Sequence, residues 1–142
     1  MLVPLTQPHH LSLIYIHTTT VAVWLDNNSI TGGIPTEIGV LTELASISIT
    51  NSSLTGTIPT QLGNLVNLRR LWLYDNDLKG TIPTEMSSLT ALEVFEVQKN
   101  VQLSGSMPAS VCTTVKSATY ESKSLLADCS SVACADCCTT CG

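Results

Sequence analysis

The sequence predicts an α/β solenoid, a short stack of like coils with parallel strands on a concave face and helical, 3₁₀ or extended segments on the convex side. Three observations carry this reading. The stretches "ITGGIPTEIG" (30–39), "LTGTIPTQLG" (54–63) and "LKGTIPTEMS" (78–87) are copies set 24 residues apart, and a fixed period of this size marks a coil-by-coil architecture. Apolar residues keep the same step: Val23, Ile47, Leu71 and Phe95 form one series, Leu25, Ile49, Leu73 and Val97 a second. Aromatics are only 4% of the chain and charged residues 12%, so the core must be aliphatic and the surface is unusually poor in charge.

Each position in the unit has a physical task. The opening pattern L-x-x-L-x-L-x-x-N, as in "LRRLWLYDN" (68–76), alternates at its centre and so makes a short strand with one buried face. Strands should centre on Val23–Leu25, Ile47–Ile49, Leu71–Leu73 and Phe95–Val97. Asn28, Asn76 and Asn100 sit where the chain leaves the strand, and a buried amide there can satisfy backbone groups of the turn and of the next coil. Ser52 replaces Asn in one unit and reaches less far, which makes that coil a local weak point. Gly32, Gly56, Gly80 and Gly105 then permit a left-handed turn. Pro35, Pro59 and Pro83 follow, with Pro108 one residue late because the fourth unit carries one inserted residue; proline suits extended chain on an outer edge. Leu62, Leu65 and Leu68, three apart, suit a short helix or 3₁₀ turn packed inward. No unit can bury its apolar face alone, so the units must stack.

These residues resemble the leucine-rich repeat family, in the 24-residue form of plant receptor ectodomains and pectinase inhibitors. The likeness covers four units over residues 20–111. It implies a curved solenoid with a binding role and no catalysis. Residues 112–142 form a cysteine-rich cap, since all six cysteines lie at or after Cys112. The tail "ADCSSVACADCCTTCG" resembles the cysteine-rich ends of extracellular leucine-rich repeat proteins of diatom algae. Residues 1–19 are a degenerate or truncated N-terminal segment: "LSLIYIHTT" imitates the strand pattern but leaves nine residues before the next strand, too few for a coil. The plant-type cysteine-paired N-terminal cap is absent from the sequence, and the chain reads as a fragment of a longer protein.

Composition excludes some functions. A net charge of −5, with Arg69 and Arg70 as the only adjacent basic pair, provides no phosphate-binding surface, so no nucleic-acid partner is expected. No apolar run has the length of a membrane span. Cys134, Cys137, Cys138 and Cys141 have a C-x-x-C-C-x-x-C spacing that in a cytosolic chain would suggest a metal and in a secreted chain a disulfide-stapled cap. The expectation is that Cys112, Cys129, Cys134, Cys137, Cys138 and Cys141 are all in disulfides and none binds metal. Spacing does not choose among the possible pairings; resemblance to plant-type caps implies that Cys112 and Cys129 close one. Asn27 and Asn51 head glycosylation sequons at the same position of adjacent coils. His9, His10 and His17 have no visible partners for a catalytic or metal site, and Glu37 and Glu85 read as a solvated face. No catalytic residue and no cofactor are expected.

The functional candidates are outward strand positions, which stack into columns: Trp24, Ser48, Trp72, Glu96; Asp26, Thr50, Tyr74, Gln98; Ala22, Ser46, Arg70, Val94; and, along one border, Asn27, Asn51, Asp75, Lys99. Exposed Trp, Tyr and Arg anchor binding surfaces. Trp24, Arg70, Trp72, Tyr74, Asp75 and Glu96 are therefore the expected ligand-binding residues. A strand spacing of ~4.8 Å puts the two Trp rings about 10 Å apart, with a shallow gap at Ser48. The leading function is an extracellular, secreted or membrane-face module that binds a protein, peptide or glycan, as part of a receptor or adhesion protein. The alternatives are a pectinase-inhibitor-like inhibitor of glycan hydrolases, and binding to ice or mineral through threonine columns (Thr36, Thr60, Thr84; Thr31, Thr55; Thr57, Thr81).

Overall fold

The computed structural model describes residues 21–117 and the strand segments Ser124–Ala127, Val132–Ala133 and Thr140–Cys141. Segment 1–19, with its three histidines, lies outside the described residues, as do Cys129, Cys134, Cys137 and Cys138. In chain order the strands are β1 (Ala22–Trp24), β2 (Thr31–Gly32), β3 (Ser46–Ser48), β4 (Ser53–Leu54), β5 (Arg70–Trp72), β6 (Lys79–Thr81), β7 (Val94–Glu96), β8 (Gln102–Ser106), β9 (Ser124–Ala127), β10 (Val132–Ala133) and β11 (Thr140–Cys141), with helix α1 (Ala109–Ser117) after β8. Single 3₁₀ turns at Thr36–Val40, Thr60–Asn64 and Thr84–Ser88 join the two strands of successive units.

The concave sheet is parallel, in the order β1-β3-β5-β7-β9-β11. Its register advances by one period at each step: Ala22 lies opposite Ser46, Ser46 opposite Arg70, and Arg70 opposite Val94. The strands begin one residue earlier than the apolar pattern suggests. The ladder still runs through the expected residues, because Leu25, Ile49 and Leu73 donate their N–H groups to the carbonyls of Ser48, Trp72 and Glu96 at 2.8, 3.0 and 2.8 Å. On the other side the chain around each glycine pairs in shorter ladders, β2 with β4 and β8 with both β6 and β10. Thr57 bridges to Lys79.

The core is the predicted aliphatic stack. Val23, Ile47, Leu71 and Phe95 are buried, as are Leu44, Leu68 and Leu92. Ile49 and Leu73 are 1% and 0% exposed, so the register read from the period holds. The inserted residue of the fourth unit is also visible. Val101 swings out, 80% exposed, and Leu103 regains the core with its N–H bonded to Asn100 O at 2.9 Å.

Buried amides satisfy the turn as expected in two coils, but they reach back to the preceding coil and not on to the next. Asn76 Oδ1 accepts from Leu54 N–H at 3.0 Å, and Nδ2 donates to the carbonyls of Ile49, Leu73 and Tyr74 at 2.7, 3.1 and 3.2 Å. Asn100 repeats this one coil on, with Leu78 N–H and the carbonyls of Leu73 and Val97. Asn28 departs from the expectation: it is exposed, and its amide donates to Asp26 O at 3.1 Å within its own turn. Ser52, with its shorter side chain, donates to Asn28 O at 2.6 Å, on the preceding coil.

A feature that the period does not single out is the glycine inside the 3₁₀ turn. A Cβ on Gly39 would lie 2.7 Å from Gln61 O, and one on Gly63 would overlap Glu85 O. Adjacent coils therefore touch backbone to backbone on the convex side. Ser87 stands at the third equivalent position, where α1 rather than another 3₁₀ turn packs against the coil. Gly63→Ala should lower stability by about 1–3 kcal/mol through overpacking. Ser87→Ala, at an exposed site, should stay within about 0.5 kcal/mol of the parent. Urea midpoints of the two variants check this contrast.

Candidate ligand face

The parallel sheet brings the outward candidates together by strand register. Trp24, Ser48, Trp72 and Glu96 occupy successive paired positions on β1, β3, β5 and β7. Arg70 lies two residues before Trp72, and Tyr74 two after, so all three project from one face. Trp24 is 59% exposed; Arg70, Trp72, Tyr74, Asp75 and Glu96 are half-buried.

The two indoles are closer than strand spacing implies. Their ring centroids are 5.6 Å apart with an interplanar angle of 34°, within the range of attractive aromatic pairs. The strands are two coils apart, but each indole is long and the side chain between them is only Ser48. The rings lean together over it. Ser48 is consequently 4% exposed, and the expected shallow gap is a closed aromatic roof.

Other outward positions also prove buried. Ser46, Thr50 and Val94 are 7%, 2% and 2% exposed. A single oxygen accounts for part of this: Asp26 Oδ1 accepts from Ser48 Oγ at 2.6 Å, Thr50 Oγ1 at 2.8 Å and Thr50 N–H at 2.9 Å. The start of the face thus holds a hydrogen-bonded cluster beside the exposed Trp24.

The border column is a column of left-handed turns. Asn27, Asn51, Asp75 and Lys99 have φ of 55°, 48°, 59° and 59°, a region that asparagine and aspartate enter most readily among residues with a side chain. Lys99, the least suited, is tied by its Nζ to Asp75 Oδ2 at 3.3 Å. Asn27 and Asn51, the sequon residues, are both exposed. A second ion pair joins Arg69 to Glu93 at 3.2 Å.

Gln98 lies outside the six candidates, yet it is the most informative residue they omit. Its Oε1 is buried without a hydrogen-bond partner among the described residues. It follows Tyr74 in the second column, which is the signal the sequence offers. The backbone agrees with that neighbourhood, with Asp75 N–H donating to Gln98 O at 3.0 Å.

Of the cap, Cys112 is half-buried beside the core at α1 and is disulfide-bonded. No helix among the described residues is long and apolar enough to cross a membrane.

Comparison with known proteins agrees with this geometry. Residues 67–89 match the Leucine Rich Repeat family. No curated protein sequence gives a significant match. Among solved structures, the chain is similar to the BIR2 ectodomain from Arabidopsis thaliana, at 32% identity over 83% of this chain and 59% of that one, with a TM-score of 0.65. It is similar to the plant peptide hormone receptor RGFR1 in complex with RGF2, at 37% identity over 65% of this chain and 15% of that one, with a TM-score of 0.62. It is also similar to a plant ice-binding protein, at 32% identity over 68% of this chain and 31% of that one, with a TM-score of 0.62. The chain thus spans less than two thirds of the length of each of these proteins.

The stacked indoles give a direct spectroscopic check on the face. Two rings at this separation should produce an exciton couplet in the far-ultraviolet circular dichroism spectrum, removed by Trp24→Phe and by Trp72→Phe alike. A parent spectrum equal to the sum of the two single-Trp variants less that of the Trp24→Phe/Trp72→Phe double variant would show that the rings are apart in solution.

Proposed function

We propose that this leucine-rich repeat protein, which resembles plant receptor ectodomains, is a non-catalytic extracellular module that binds a peptide along its concave sheet. The observation that carries the reading is the indole pair. A soluble fold needs its inward Leu and Ile, but nothing in the packing requires two Trp side chains stacked on the outward face, one of them 59% exposed. Aromatic anchors on a rigid sheet are what a binding surface needs. Arg70 and Tyr74 extend the anchor along β5, and Asp75 and Glu96 supply its polar margin. The likeness to a peptide hormone receptor in complex supports a peptide over a globular protein or a glycan. The exposed sequon residues Asn27 and Asn51 support glycosylation and an extracellular setting.

If these residues are the anchor, the Trp72→Ala/Tyr74→Ala double variant should weaken binding of a peptide selected on the parent by roughly 2 kcal/mol or more. Leu73→Ala, between them and fully buried, should instead act on stability, at about 2–5 kcal/mol. Titration calorimetry and urea unfolding separate the two effects. Undiminished binding by the double variant refutes the concave-face reading.

A second reading has its own observation. Thr57, Thr60, Thr81 and Thr84 are exposed and line one shallow groove with Ile58, Ile82 and Pro83. Regular hydroxyl and methyl groups of this kind suit an ice lattice, and a plant ice-binding protein shares the fold. Ice binding predicts thermal hysteresis that Thr60→Lys abolishes; the absence of hysteresis and of recrystallisation inhibition at high protein concentration dismisses it.

A further inference from the structure

We propose that the four outward residues Trp72, Tyr74, Glu96 and Gln98 form a subsite for a guanidinium group, so that the peptide ligand carries an arginine seated there. This rests on the peptide-binding reading above and names the chemistry of the ligand. Trp72 and Glu96 are register partners on neighbouring strands. Tyr74 and Gln98 follow two residues later on the same two coils, and the backbone bond from Asp75 to Gln98 O keeps the coils paired there. The patch is therefore square: two aromatic rings on one coil, two oxygen acceptors on the next.

Its chemistry is one-sided. Glu96 takes no part in the ion pairs Arg69–Glu93 and Lys99–Asp75. Gln98 Oε1 has no hydrogen-bond donor among the described residues, and a native acceptor left in that state calls for an explanation. An incoming donor supplies one. Rotation of the terminal amide about its broad last torsion turns the oxygen towards the face. A guanidinium matches every corner: its plane stacks on indole or phenol, and its forked N–H groups donate to a carboxylate and an amide oxygen together. A lysine ammonium lacks the flat face, and a neutral residue lacks the charge. Of the described cations nearby, Lys99 is held by Asp75 and Arg70 already has an interaction of its own.

The test uses the full chain and three capped tripeptides, Gly-Arg-Gly, Gly-Lys-Gly and Gly-citrulline-Gly, in nitrogen–proton correlation spectra. The arginine probe should shift the Trp72 indole N–H and the Gln98 side-chain amide saturably, with at least tenfold higher affinity than the citrulline probe. Glu96→Gln should remove that preference. Gln98→Met should weaken arginine binding several-fold while leaving the urea midpoint of the free protein unchanged or raised, because it deletes an unsatisfied acceptor; a lowered midpoint would mean that Gln98 serves the fold and would overturn the proposal. Equal affinity for arginine and citrulline would overturn it too, as would shifts of the same resonances by a β-glucan hexamer and not by arginine. If the arginine probe fails while a selected peptide still shifts Trp72, this subsite is refuted and the concave-face reading stands; if neither shifts it, both fall.

Discussion

The later coils of the concave face are held in step by the buried amide at the end of a strand, Asn76 in one and Asn100 in the next. Where the chain leaves a strand it must reverse direction, and a reversal strands peptide groups away from water. Asn76 meets four of them at once, two within its own turn and two on the coil before. Because the acceptor bond goes to the backbone of a different coil, the same side chain that closes a turn also fixes the spacing between coils. The aliphatic core supplies most of the stabilisation, but a core of interchangeable Leu and Ile is indifferent to small slips. The amide is not. It holds the register on which the outward columns rely.

That division of labour governs what is legible in the sequence. Period, core and strand alternation can be read because burial is repeated: Ile47, Leu71 and Phe95 face the same environment three times over, and each copy reinforces the assignment. The backbone-tight glycines are less legible. Gly39 and Gly63 recur, but nothing local distinguishes a glycine that a neighbour crowds from one that merely turns. Asn28 shows the limit of the pattern in another way. It matches the motif, yet a motif position is buried only where the surrounding coil covers it.

The face itself is readable as columns and not as a surface. Register places Trp24, Ser48 and Trp72 in a line, but it does not give the direction in which long side chains lean across a short one. Distances taken from strand spacing therefore overstate the separation of large residues and the exposure of small ones. Ser48 and Thr50 belong to outward columns, yet both are buried and tied to Asp26, with Ser48 roofed by the rings. Gln98 is hard to recognise for a related reason. Its character comes from the lack of a donor at its oxygen, and no string of letters displays that.

Val101 shows how the coil measures itself. The fourth unit is one residue longer than its neighbours, and the surplus is taken up by the exposed pair Val101 and Gln102 between Asn100 and Leu103, while both of those stay buried. The sheet on one side and the extended edge on the other continue in step. Length is thus counted by anchor points, not by residues. The segment between the amide and the next buried leucine is a natural seam, where a stretch of foreign sequence could be spliced without disturbing the stack, and where related chains would be free to differ in length while presenting the same face.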